Sequence, residues 1–121
     1  MSKSPTSHQL TISGLADIQQ RSIAANELVV TFPDAMRALD LFQQQNVMVL
    51  GWEGWLRYPQ GTVGHSRQHQ GTIDLSAMSP QDAIATVRAT IMLAQSEWHA
   101  TPEVAGAELY FCITTSDAAA Q

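Results

Sequence analysis

The stretch from Ser79 to Trp98 constrains this chain more than any other. Ile84, Val87, Ile91, Ala94 and Trp98 recur at spacings of three, four, three and four, which puts them on one face of an α-helix. Ser79 suits an N-cap, Pro80 the first helical position, and Asp82 the reciprocal place in a capping box. Thr101-Pro102 marks the exit. A helix with such a stripe must be covered, so the rest of the chain has to supply a second layer.

Two apolar runs supply it. Leu28 to Phe32 is β-branched and apolar, as a buried strand is. Pro33 and Asp34 then open a second helix, with Ala35, Leu39 and Phe42 on one face. Gln43-Gln44-Gln45 ends it, and Asn46 tolerates the left-handed conformation that closes many helices. Val47 to Tyr58 reads as one long strand bent or bulged at its glycines, and a bulge at Gly54 would bring Trp52 and Trp55 to one side. Pro59-Gln60-Gly61 is a turn, and residues 62–75, including the run 71–75, are expected to pair back. Residues 107–114 form the last strand. Residues 9–26 read two ways: Leu10 and Ile12 alternate as in a strand, while Leu15, Ile18 and Ser22 repeat as in a helix.

The expected fold is α+β: a mixed or antiparallel sheet with two main helices packed on one face. Strands 28–32 and 47–58, joined by a helix, would allow a parallel pair. The 121 residues, 45% of them apolar, suffice for one core. The expected organisation is a disordered N-terminus over 1–8, one domain over 9–115 and a flexible tail over 116–121.

Eleven acidic and six basic residues give a net charge of -5, and the five arginines are scattered. Nucleic acid and anionic membrane are therefore poor partners, and a basic macromolecule is a better one. Cys112, the only cysteine, lies in the apolar run Leu109 to Ile113 and reads as a buried, inert thiol. The N-terminus lacks the apolar stretch of a signal peptide, and no run reaches the ~20 apolar residues of a membrane span, so the cytoplasm is expected.

Signatures of catalysis are missing. There is no phosphate loop, no nucleophile elbow and no paired-cysteine spacing. His65 and His69, four apart in an extended segment, would lie about 13 Å apart, too far to share a metal ion. The expectation is a binding protein without catalytic residues, cofactor or metal.

Gly51-Trp52-Glu53-Gly54-Trp55 is the unusual feature, with two tryptophans flanking one carboxylate. Trp52 fits the core between sheet and helices. Exposed Trp, Tyr and Arg dominate protein interfaces, which makes Trp55, Arg57 and Tyr58 candidates for contact. Glu53 must be exposed or paired, with His65 a ready partner. The segment from Tyr58 to Gly71 is too polar for a core and reads as a solvated hairpin or a recognition surface.

These residues resemble a family of immunity proteins from bacterial polymorphic-toxin systems. The likeness covers residues 27–114. It rests on Gly51-Trp52-Glu53-Gly54-Trp55, Gly61-x-x-Gly64-His65-Ser66, Gln70-Gly71-Thr72 and Leu109-Tyr110-Phe111-Cys112-Ile113, with Phe32-Pro33-Asp34-Ala35 in matching order. The resemblance implies a protein that binds and blocks a cognate toxin domain, such as a basic nuclease, as a monomer or homodimer. With the residue reading it nominates Trp52, Glu53, Trp55, Tyr58, His65, Ser66 and Arg67 for partner contact. Recurrent motif residues can equally be structural frame. The alternatives are a small-ligand or enzymatic domain using Glu53 and His65, and a structural assembly module with an exposed stripe on the helix over 79–98.

Overall fold

The computed structural model describes Ile12, residues 14–71 and residues 74–116. The expectations for residues 1–8, for Leu10 and for the tail beyond Ser116 lie outside the described residues. The described elements are α1 (Leu15–Gln19), β1 (Leu28–Val30), α2 (Phe32–Gln44), β2 (Val49–Arg57), β3 (Val63–His65), α3 (Pro80–Ala100) and β4 (Glu108–Thr115). No described helix is long and apolar enough to cross a membrane.

The apolar stripe of α3 is covered as its spacing requires. Ile84, Val87, Ile91, Ala94 and Trp98 are all buried, and the helix starts where Ser79 Oγ accepts the Asp82 amide at 3.1 Å. In α2, Ala35, Ala38, Leu39 and Phe42 are buried, and Asn46 closes the turn beyond it with φ of 57°. Both helices lie on one face of a four-stranded sheet, making an α+β sandwich. Of the two readings of residues 9–26, the helical one holds over Leu15–Gln19, with Leu15 and Ile18 buried.

The sheet order is β1-β4-β2-β3, and every neighbouring pair is antiparallel. β1 and β2 run parallel but are not adjacent, because β4 lies between them. The reason is hydrophobicity. β4 is buried continuously from Leu109 to Ile113, so both its faces need cover and it takes an inner position. Leu109, Phe111 and Ile113 face the helices, whereas Tyr110 and Cys112 belong to a smaller cluster with Val29 on the other face.

β2 carries its irregularity between Val49 and Gly51, not at Gly54. From Trp52 onward the alternation is unbroken, so Trp52 pairs with Ile113 and Trp55 with Tyr110 on opposite faces. Gly54 has a different task. Its amide donates to the His69 carbonyl at 2.8 Å, and its carbonyl accepts the Ser66 amide at 2.9 Å. A Cβ there would collide with that His69 carbonyl. The segment after β3 therefore does not continue as a long hairpin arm. It turns at Ser66 and lies back over β2 toward the helices, so residues 71–75 form no strand where they are described. Gly71 then passes so close to the Trp52 indole that it has no room for a side chain.

The other face is closed at its β1 edge by residues 20–27. Arg21 Nε and Nη2 clasp Asp34 at 2.7 and 2.9 Å, tying the end of α1 to the first turn of α2. That guanidinium holds the Asp34 carboxyl below its ordinary range against the opposing effect of burial. The Ser22 hydroxyl donates to the Ala24 and Glu27 carbonyls and accepts the Val29 amide, while the Ile23 amide donates to the Val29 carbonyl. Ile23 and Ala24 are thereby laid on the helix-free face.

Gly71→Ala forces the loop off the Trp52 indole. It should cost about 1–3 kcal/mol by overpacking, read as a lower midpoint in urea. Adding Trp52→Phe to Gly71→Ala should recover part of that loss, and strictly additive effects would show that the two residues do not meet.

Candidate functional site

The helix-free face of the sheet is built in three rows by the register. Val29, Cys112 and Glu53 form the first, Tyr110, Trp55 and His65 the second, and Glu108, Arg57 and Val63 the third. The centre of the face is aromatic. The Trp55 and His65 rings lie 5.2 Å apart, tilted at 60°, and Tyr110 is the cross-strand neighbour on the other side. Arg57 Nη1 donates to the Tyr110 hydroxyl at 3.5 Å. Trp55 is half-buried, and its indole N–H meets no acceptor among the described residues.

Carboxylates surround that centre. Glu53 Oε1 stands 3.9 Å from His65 Nδ1, beyond hydrogen-bond length, with His65 well exposed. Glu27 and Glu53 flank Cys112, whose thiol reaches Glu27 Oε2 at 3.8 Å. Burial, reinforced by those two carboxylates, pushes the Cys112 thiol up to about 12. It therefore stays protonated and is no nucleophile, as its apolar surroundings in the sequence suggest. Glu108 completes the acidic set, with Arg57 as the cation in the same row.

The sequence-nominated residues divide. Glu53, Trp55 and His65 come together on this face. Trp52 does not. It is 4% exposed on the helix side, edge-on to Phe111 at 5.3 Å, with its indole N–H donated to Thr90 at 2.8 Å. Tyr58 also packs toward the main core, against Gly64. Ser66 is 1% exposed, so contact with a partner would require the loop to open. Arg67 is exposed, but its backbone is pinned on the loop that turns to the helix side.

What pins that loop is Glu103, which sequence reasoning missed. Its Oε1 accepts the Ser66 hydroxyl at 2.6 Å, and its carboxylate also accepts the Arg67 and Gln68 amides at 3.0 and 3.4 Å. Burial opposes the ionised carboxylate, but these donors outweigh it and hold the group below its ordinary range. Ser66 Oγ in turn accepts the His69 amide at 2.9 Å. His69 is buried with its ring 6.1 Å from that of Trp98 and Nδ1 3.9 Å from Glu97. The segment expected to be a solvated hairpin or a recognition surface is exposed over most of its length, and within it Ser66 and His69 are buried as frame. The buried Ser66 hydroxyl and the amides beside it are satisfied around one carboxylate, as buried polar groups must be. A lone Glu past a helix end carries no sequence signal for this role.

Among the described residues, no three His, Cys, Asp or Glu side chains converge to hold a metal ion. Comparison with family models, with curated proteins and with solved structures finds no match for this chain. The surface itself has to carry the functional reading.

The Cys112 thiol gives a pH-dependent check. Its pKa is raised on folding from 9.0 to about 12, so the folded state holds the proton longer than the unfolded chain. The stability tied to it is full below pH 9 and is lost as pH rises toward 12. Alkaline denaturation should be less steep in Cys112→Ala. Iodoacetamide should modify Cys112 in the native protein only as fast as the protein opens, and rapid labelling of folded protein at pH 8 would contradict the burial.

Proposed function

We propose that this protein is an immunity protein that binds a cognate bacterial toxin domain and neutralises it by tight association in the cytoplasm, without catalysis of its own. The observation that carries the reading is the helix-free sheet face: Trp55 and Tyr110 at its centre, His65 beside them, and Glu27, Glu53 and Glu108 around them. Aromatic anchors within a polar rim are what a specific interface needs. The surplus of carboxylates, on a chain of net charge -5, selects a basic partner such as a nuclease domain and speeds the encounter.

On this reading the contacts centre on Glu53, Trp55 and His65, joined by Glu108, which the sequence did not single out, while Tyr110, 6% exposed, supports them from beneath. Trp52 and Ser66 act beneath the surface by holding the loop that supports it. A complex of ordinary size would bury about 1,200–2,000 Å² in total.

The test is rescue of growth. A partner captured from the native cell and expressed alone should arrest growth, and co-expression of this protein should restore it through a 1:1 complex. Trp55→Ala and Glu53→Ala should each weaken the complex roughly tenfold or more, with association slowing as salt rises. Full rescue by the double variant would place the contact surface elsewhere. A captured partner with no toxicity would remove the immunity reading.

A further inference from the structure

The two edges of the sheet are finished differently. At the β1 edge the chain itself takes both outward groups of Val29: its amide donates to Ser22 Oγ at 2.9 Å, and its carbonyl accepts the Ile23 amide at 3.0 Å. β3 forms the other edge. There the Gly54 carbonyl accepts the Ser66 amide, and the Tyr58 amide donates to the Thr62 carbonyl. Hydrogen-bonded pairs alternate in an antiparallel ladder, so the pair Leu56–Gly64 between those two is bonded as well. Val63 and His65 fall at the alternate positions. Their N–H and C=O groups point away from β2, and no described residue bonds to them.

Folded proteins guard such an edge with a lysine, a proline, a bulge, a covering segment or mere shortness. β3 has no lysine and no proline, its register with β2 is unbroken, and Val63 stands 44% exposed. Shortness is its only guard among the described residues. It limits an added strand to the four backbone groups of Val63 and His65.

We infer that an extended, basic segment of the protein bound on the helix-free face joins the sheet at β3, pairing with the backbone of Val63 and His65. This rests on the reading of that face as a binding surface. The chemistry of the open groups selects the occupant, because N–H and C=O groups along one strand edge are matched by extended backbone. Four hydrogen bonds of modest net worth do not hold a strand by themselves, so the occupant has to engage the adjoining face as well. His65 belongs to both, with its backbone on the edge and its ring in the row of Trp55 and Tyr110. Charge selects a basic segment over a second copy. Two copies joined at β3 about a two-fold axis would turn their helix-free faces to the same side and add the Glu53 and Glu108 of one to those of the other, on chains of net charge -5. A basic strand beside His65 meets the same carboxylates as counter-charges.

Amide hydrogen exchange on the full chain, free and bound to the captured partner, reads the edge directly. In the free protein Val63 and His65 should exchange fast, and in the complex both should slow roughly 100-fold. Gly64, bonded inward in both states, should change far less. Val63→Pro removes the outward N–H and no bond of the free fold, and a sheet edge tolerates proline at such a position. It should leave the circular dichroism spectrum intact and weaken partner binding roughly tenfold, whereas Val63→Thr, which keeps the N–H, should weaken it far less. Unchanged exchange of both amides in a complex that Trp55→Ala still weakens would overturn the inference and leave the reading of the face standing. Equal losses from Val63→Pro and Val63→Thr would also overturn it, since the side chain and not the backbone would then make the contact. So would slow exchange in the free protein: the edge would be filled by a second copy if the protection grew with concentration, and by the chain itself if it did not. Protection of both amides by a partner without toxicity would support the pairing and remove only the immunity reading.

Discussion

The close passage of Gly71 over the Trp52 indole, together with the paired hydrogen bonds between Gly54 and the Ser66–His69 turn, is the contact on which the rest of the arrangement depends. It brings a polar segment back over β2 toward the helices. That leaves β3 only three residues long and, among the described residues, leaves the far side of the sheet without a second layer beyond Ile23 and Ala24. Had the segment run on as a hairpin arm, β2 and β3 would form a longer ribbon and Trp52 would lose its cover.

The two tryptophans separated by Gly54 serve opposite sides of the sheet as a consequence. Trp52 is satisfied: buried, hydrogen-bonded to Thr90 and edge-on to Phe111. Trp55 is not, since its N–H finds no acceptor among the described residues and its ring shares a half-open surface with His65 and Tyr110. A buried donor without a partner costs stability. The electrostatics divide in the same way. Asp34 and Glu103 are carboxylates held by close donors, whereas Glu27, Glu53 and Glu108 look onto the open face, with Arg57 as the cation in the Glu108 row.

Much of the fold was legible in the sequence. The α3 stripe, the Ser79 cap, the α2 face and the turn at Asn46 follow from local rules of period and capping, and each stands where those rules put it. Strand order was not legible, because helix-linked strands can be neighbours or can admit another strand between them, and only the two-sided burial of β4 decides. The site was half legible. Glu53, Trp55 and His65 share a face because strand alternation places them there. Ser66 and Trp52 were nominated by the same motif but belong to the frame. That distinction rests on Glu103 and Gly71, residues 37 and 19 positions away whose roles exist only in three dimensions.

Native-state hydrogen exchange tests the division of the motif into frame and surface most directly. The amides of Gly54, Ser66 and His69 are bonded into the Glu103-centred turn and should be protected to nearly the same degree as the centre of β4. Val63 and His65, on the sheet edge, should exchange far faster. Rapid exchange at Gly54, Ser66 and His69 would contradict the account: the segment would then be a mobile recognition loop, and the sheet face would lose the rigid support that its proposed role requires.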